Sequence, residues 1–221
     1  MDHTVRILHI GFVTHDVKQF VVTRPDGFGY RPGQGVEIAV DQEGWREECR
    51  PFTPTSPEAA PALEFTIKGY PGHGGVTQKL HSMKPGATLL MSEAFGTITY
   101  QGPGTFVAGG AGITPFLAIL RQLEKDGGRE ECTLLFSNKT PADVICEKEL
   151  RHLMGERLHL TCTEQPAPGY DRARIDRSFL EAKKVDPEQP FYLCGPPAFV
   201  EEIREALEQM GADPEGIVVE E

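Results

Sequence analysis

The stretch Thr105 to Leu123, TFVAGGAGITPFLAILRQL, constrains the fold most: a short apolar run breaks into glycines and resumes with helical periodicity. Thr105 to Ala108 predicts a buried parallel strand, and Phe116, Ile119, Leu120 and Leu123 recur at i, i+3, i+4 and i+7. The unit is strand, glycine loop, amphipathic helix. Thr114 is the expected N-cap, with Pro115 at the first helical position, where a missing N–H costs nothing. Gly109, Gly110 and Gly112 lack a Cβ, so backbone can approach a ligand while free amides and the helix dipole face an anion such as pyrophosphate. A dinucleotide is the implied ligand. Gly110-Ala111-Gly112-Ile113-Thr114-Pro115 reads GxGxxP, with proline in place of the third glycine of the Rossmann fingerprint. A plain turn whose glycines only supply positive φ fits the same six residues.

The chain on either side narrows the choice. Before the loop, Val5 to Val13, Phe20 to Thr23, Val36 to Val40, Leu63 to Ile67 and Thr88 to Met91 are short β-type runs separated by PDG, RPGQG, DQEG and GYPGHGG. That spacing predicts an all-β barrel, with one helix over Val76 to Met83. After the loop, strands are expected at Cys132 to Phe136, Leu158 to Cys162 and Phe191 to Cys194. Helices are expected at Glu147 to Met154, at Asp176 to Lys184 with Asp176 as N-cap, and at Pro197 to Met210. Alternating strand and helix implies a doubly wound parallel sheet, in which ligands sit beyond the carboxyl ends of the strands. Gly110 and Gly195 both fall there, so their turns are expected to face one site. The division expected is a barrel over residues 1–102 and an α/β domain over residues 103–221.

Composition excludes several classes. A formal net charge of −11 argues against general attraction to nucleic acid or to an anionic membrane. No segment approaches the roughly 20 apolar residues of a membrane span, and the amino terminus carries no basic region followed by a long apolar stretch, so a cytoplasmic protein is expected. Five cysteines, widely spaced and odd in number, suggest neither a disulfide framework nor an iron–sulfur site, and seven histidines show no paired metal spacing. No metal is assigned.

Two stretches of the first half exceed turn chemistry. Arg50-Pro51-Phe52-Thr53 places a cation, an aromatic and a hydroxyl near a strand end: arginine forks onto phosphate, the aromatic covers a flat ring, and the hydroxyl reaches a ring nitrogen. An edge proline beside a core phenylalanine reads the same way. Gly74-Gly75-Val76-Thr77 offers amides and a hydroxyl at a helix start, suited to pyrophosphate or to simple capping.

Taken together these motifs resemble the ferredoxin-NADP reductase-type flavoproteins. Arg50 to Thr53 resembles their RxYS/T flavin motif, Gly74 to Thr77 their GGxS/T pyrophosphate loop, Gly110 to Pro115 their nicotinamide-nucleotide loop, and Cys194-Gly195-Pro196-Pro197 their CGPP motif. The four occur in family order across nearly the whole chain. The resemblance implies a two-domain protein, a six-stranded antiparallel Greek-key barrel binding FAD and an α/β domain binding NADH or NADPH. By the same resemblance Arg50 holds the flavin pyrophosphate, Phe52 stacks on or flanks the ring, Thr53 hydrogen-bonds the flavin N5, and Ile67-Lys68-Gly69 line the flavin. Cys194, with Thr114 close by, lies near the nicotinamide C4 and does not act as a covalent nucleophile. Phe52 replaces the more usual tyrosine, keeping the stacking surface and losing the phenol.

Nucleotide preference divides two readings. Ser137-Asn138-Lys139 after the second strand could accept a 2′-phosphate, which favours NADPH. Yet LLFSNKTPADVICEKEL resembles cytochrome b5 reductase-like enzymes, in which the acid equivalent to Asp143 accompanies NADH use, and repulsion of a second phosphate by Asp143 favours NADH. At the chain end, Glu220 matches a family glutamate that assists proton movement near the flavin, or is a solvated terminus; the aromatic with which many relatives continue is missing. The implied activity is hydride transfer from reduced nicotinamide to flavin, with electrons passed to a separate acceptor such as a ferredoxin, flavodoxin or cytochrome, by a monomer. A reductase component of an oxygenase, a free-flavin or quinone reductase, and a non-catalytic flavin- or nucleotide-binding regulatory module are the alternatives.

Overall fold

The computed structural model describes residues 1–96, 98–128 and 131–220. The first half holds six strands, β1 (His3–Phe12), β2 (Val17–Thr23), β3 (Val36–Val40), β4 (Arg50–Phe52), β5 (Ala62–Lys68) and β6 (Thr88–Met91), and a short helix α1 (Val76–His81) between the last two. They form one antiparallel sheet in the order β4-β3-β6-β1-β2-β5. Alternation decides its inside: Phe20 and Val22 of β2 and Leu63, Phe65 and Ile67 of β5 are buried in one core, while Val17 packs with the second half. A bridge between Pro54 and Phe65, with Thr55 N–H donating to Glu64 O at 2.7 Å, brings the two edges together and closes the barrel. Val76 and Leu80 of α1 join that core. Each such side chain contributes about 1.5–3 kcal/mol by leaving water.

The second half is a parallel sheet in the order β11-β10-β7-β8-β9, built from β7 (Thr105–Gly109), β8 (Thr133–Asn138), β9 (Leu158–Cys162), β10 (Phe191–Cys194) and β11 (Ile217–Val219). Successive side chains of β7 enter different cores: Phe106 and Ala108 pack with α2 (Thr114–Asp126) and α3 (Glu147–Met154), whereas Val107 packs with α4 (Arg177–Ala182) and α5 (Pro197–Gln209). That is the doubly wound arrangement, and near-continuous apolar strands are its cause. Asp176 caps α4 by accepting from the Phe179 N–H at 2.9 Å.

Several expectations change. Thr114 is not an N-cap: Gly110–Ile113 already turns as a 3-10 helix, so Thr114 is the first residue of α2 at φ −60° and ψ −45°, and Pro115 is the second. With the turn upstream, the Thr114 hydroxyl reaches backward and donates to the Ala111 carbonyl at 3.1 Å. The helix expected over Val76 to Met83 ends at His81, and β8 runs from Thr133 to Asn138 where Cys132 to Phe136 was expected. Ile217 to Val219, unassigned in the sequence reading, adds a fifth parallel strand against β10, while Glu221 lies outside the described residues.

The halves meet over an aromatic stack. Tyr100, beyond the last barrel strand, lies 5.9 Å from the Tyr192 ring, which stacks on Phe106 at 4.5 Å. The Tyr192 hydroxyl accepts from the Gln101 N–H at 2.9 Å and donates to Gly102 O at 2.8 Å.

Candidate active site

A cleft of about 650 Å³ runs between barrel and parallel sheet, within the roughly 300–1,000 Å³ usual for ligand sites. One wall is barrel: Pro51, Phe52 and Thr53 from β4 and its continuation, Ile67 and Lys68 from the end of β5, and Thr77 from α1. Thr53 is 6% exposed and Phe52 partly covered. The opposite wall is the carboxyl edge of the parallel sheet: Gly110, Ala111, Gly112 and Thr114 after β7, Ser137, Asn138, Lys139 and Asp143 after β8, and Cys194, Gly195 and Pro196 after β10. Glu220, just past β11, completes it.

The two glycine turns touch. A Cβ on Gly112 would lie 2.3 Å from the Cys194 carbonyl oxygen, and one on Gly195 would lie 3.2 Å from the Gly109 Cα and 2.9 Å from the Phe199 ring. Backbone packs on backbone here, and only glycine allows it. Gly110, at φ 54° with nothing within 4 Å of a built Cβ, is needed for the turn and stands open to the cleft.

Cys194 is buried, and its Sγ donates to Glu220 Oε2 at 3.0 Å. Burial, with the facing carboxylate second, pushes this thiol far above its ordinary range, so it stays protonated and non-nucleophilic. Glu220 is exposed and borders the cleft through this contact. Asp143 Oδ2 accepts from the Thr140 N–H at 2.8 Å and its hydroxyl at 2.7 Å, a capping box that fixes the carboxylate at the cleft wall. Lys68 pairs with Asp16 at 3.0 Å; burial would raise the Asp16 carboxyl, but Lys68 and Thr14 outweigh it and hold it below its usual range. Lys139 is exposed and pairs with Glu164 at 3.1 Å, whereas Asn138 is buried, its Oδ1 and Nδ2 without a partner among the described residues. An orphaned amide in a cleft wall is a group that a ligand or water completes. Ser137 pairs in register with Gly109 and also lines the cleft.

Several expected residues do not line the cleft. Arg50 is exposed and turned along its own strand, donating to the Cys49 carbonyl at 2.6 Å and lying 3.9 Å from Glu48. Ile113 and Pro115 are buried beneath the loop they follow, and Val76 is in the barrel core. Gly69 does not border the cleft: a Cβ there would meet the His81 ring at 2.6 Å. The His81 Nε2–H donates to the Ile67 carbonyl at 2.9 Å, and burial lowers its pKa. Gly74 is exposed and Gly75 partly covered, and the Gly74 N–H donates to Gln78 Oε1 at 2.9 Å. Pro197 opens α5 on the exposed side. The cleft also includes Gly109, expected from the glycine loop, and Val17, Thr66, Tyr70, Ile145, Thr163 and Phe199, which no motif announced. Of these only Thr66 carried a signal, a hydroxyl one residue before the Ile67 to Gly69 stretch.

Comparison with known proteins agrees with this geometry. The family described as Oxidoreductase FAD-binding domain matches residues 4–100, and that described as Oxidoreductase NAD-binding domain matches residues 106–205. NADH-cytochrome b5 reductase 1 of Emericella nidulans is 30% identical over 224 residues, covering 90% of this chain and 71% of its own length. NADH-cytochrome b5 reductase 2 of Mycosarcoma maydis is 28% identical over 214 residues, and this chain spans 60% of its length. A ferredoxin NADP+ reductase from Neisseria gonorrhoeae, solved with bound FAD and NADP, superimposes with a TM-score of 0.82 at 24% identity, covering 95% of this chain and 91% of that one. A barrel matching the FAD-binding family, a parallel sheet matching the NAD-binding family and a cleft between them make the chain a member of the ferredoxin-NADP reductase-type flavoprotein oxidoreductases.

Proposed function

We propose that this chain is an NAD(P)H-dependent flavoprotein reductase that uses FAD, prefers NADH and delivers electrons to a separate acceptor such as a ferredoxin, flavodoxin or cytochrome. It would do so as a cytoplasmic monomer, with a barrel domain over residues 1–102 and a nucleotide domain over residues 103–221. No helix among the described residues is long and apolar enough to cross a membrane. The observation that carries the reading is that the Phe52–Thr53 wall and the paired Gly110 and Gly195 turns border one cleft.

When bound, the flavin supplies the redox chemistry, taking a hydride from reduced nicotinamide and releasing electrons singly. The protein supplies position and protons. Thr53 offers a hydroxyl, and Phe52 a flat apolar face, where the flavin ring would be held. Arg50, Lys68 and the Gly74 to Thr77 turn would hold its phosphates, Arg50 after turning away from the Cys49 carbonyl. Gly110 to Thr114 and Gly195 to Pro197 would cradle the nicotinamide nucleotide by backbone contact, which glycine permits. The Cys194 thiol, kept neutral, would pack near the reacting nicotinamide carbon without attacking it, and it donates its proton to Glu220. Asp143 sets a fixed negative charge where a 2′-phosphate would otherwise be accepted, which supports NADH.

The test is an anaerobic visible spectrum of the purified protein before and after NADH, then NADPH. Flavin bands that NADH bleaches faster are the expected result. A protein that cannot be loaded with FAD, or whose bands neither nucleotide changes, refutes the reading.

A further inference from the structure

Behind the cleft, one cation joins the two halves of the molecule. Arg121 lies on α2, the helix whose first turn continues the Gly110 to Ile113 loop, and its side chain is only 15% exposed. Its Nε and Nη2 fork onto the Glu149 carboxylate of α3 at 2.6 and 2.9 Å. Its Nη1 crosses to the barrel and donates both to the Thr55 carbonyl and to Glu64 Oε1, each at 2.6 Å. Glu64 Oε1 also accepts from the Thr55 hydroxyl at 2.6 Å. Burial alone would lower the Arg121 pKa, yet Glu149 and Glu64 hold it above its ordinary value, so the cation is permanent.

What Arg121 grips is the barrel seam. Thr55 and Glu64 are the residues whose backbone bond closes the barrel, and the Thr55 hydroxyl lies 3.3 Å from that of Thr66. Thr53, two residues before Thr55, and Thr66, two residues after Glu64, are both cleft-lining. The cation therefore fixes the segment that presents Thr53 and Thr66 relative to the helix that presents the glycine loop. A buried cation shared by two carboxylates is a poor device for stability, because well-packed apolar residues of similar volume serve as well or better. It is a good device for geometry, since a planar fork tolerates few orientations.

We infer that Arg121 is the positioning residue that sets the separation between the two walls of the cleft, and with it the approach of nicotinamide to flavin. This rests on the reductase reading above. Hydride transfer needs reacting atoms about 3–3.5 Å apart, and roughly 1 Å of misplacement costs about a hundredfold in rate. Arg121 touches neither wall's ligand-facing atoms; it acts through Thr55 and Glu64.

The experiment compares Arg121→Met, Arg121→Lys and Glu64→Gln with the unmodified FAD-loaded protein. Scanning calorimetry of each is expected to show one transition for the unmodified protein and two for Arg121→Met. Stopped-flow flavin reduction at saturating NADH is expected to slow at least tenfold in Arg121→Met, with FAD content kept and NAD⁺ affinity within about threefold, and to be partly restored in Arg121→Lys. Should Arg121→Met fail to fold, Glu64→Gln carries the test: it keeps volume and an acceptor, weakens only the barrel side of the clamp, and is expected to slow reduction about threefold. Variants that lose stability yet reduce flavin at the unmodified rate make Arg121 structural and overturn the inference. If the unmodified protein is itself not reduced, the reductase reading fails separately, and the calorimetric split alone decides whether Arg121 couples the halves; a single transition in Arg121→Met overturns it.

Discussion

Replacing Gly112 by alanine tests the cleft at its tightest point. The added Cβ would stand 2.3 Å from the Cys194 carbonyl oxygen, 2.4 Å from its carbon and 2.6 Å from the Gly195 nitrogen, all backbone atoms that no rotamer change can move. Ordinary contact for such pairs begins at 3.4 Å, so the two turns must separate by roughly 1 Å. Overpacking of this kind costs about 1–3 kcal/mol of stability. The same displacement moves the nicotinamide cradle by an amount that costs about a hundredfold in a hydride transfer. Gly110→Ala is the contrast: at φ 54° it carries backbone strain of about 1–2 kcal/mol but meets nothing within 4 Å. Both variants thus lose similar stability; Gly110→Ala, whose Cβ would enter the nucleotide cradle, raises KM for NADH, and Gly112→Ala lowers the rate at saturation. Anaerobic stopped-flow reduction by NADH, extrapolated to saturation, separates them. Equal rates in the two variants would falsify the claim that contact between the turns sets the reacting geometry.

Further outcomes are expected. Cys194 should resist iodoacetamide at pH 8 in the folded protein and react after denaturation, as peptide mass spectrometry would show; ready alkylation in the fold would mean that the thiol is not held protonated against Glu220. Asp143→Ser should raise the NADPH-to-NADH ratio of kcat/KM about tenfold, which is about 1.4 kcal/mol, and an unchanged ratio would remove Asp143 from nucleotide choice. His81 and His159 are both shifted down by burial, so the unfolded chain takes up protons first and stability falls as pH drops through about 6.5 toward their lower folded values. Urea midpoints between pH 7.5 and 5.5 should show that fall, and a His81→Gln, His159→Gln protein should flatten it; a pH-independent midpoint in the unmodified protein refutes this assignment.

Legibility in the sequence followed how local each cause is. Val36–Val40, Thr88–Met91, Leu158–Cys162 and Phe191–Cys194 end where apolar runs meet turn residues, and the strands follow. Glycine spacing announced the loop after β7, because a close backbone approach leaves a mark in residue type. Ile217 to Val219 escaped because three apolar residues have no period, yet their pairing with β10 is what brings Glu220 to Cys194. Thr114 was misread since a residue-type preference for capping cannot show that the glycine turn upstream is already helical. Tyr70 and Phe199 entered the cleft through tertiary packing alone. Arg121 looked like one polar position on an amphipathic helix; its partners Glu149 and Glu64 lie 28 and 57 residues away, a distance across which composition carries no signal.

The Tyr192 hydroxyl, bonded on one side to the Gln101 N–H and on the other to the Gly102 carbonyl, bears on the order of events during synthesis. The barrel strands have all left the ribosome before Tyr192, 91 residues after Gln101, is made. A domain that folds as a unit behind a growing chain would be finished while its connection to the next still swings freely. Once β10 takes its place between β7 and β11, this phenol fastens the crossover, a link between the halves that forms later in synthesis than the parts of the Arg121 clamp are made.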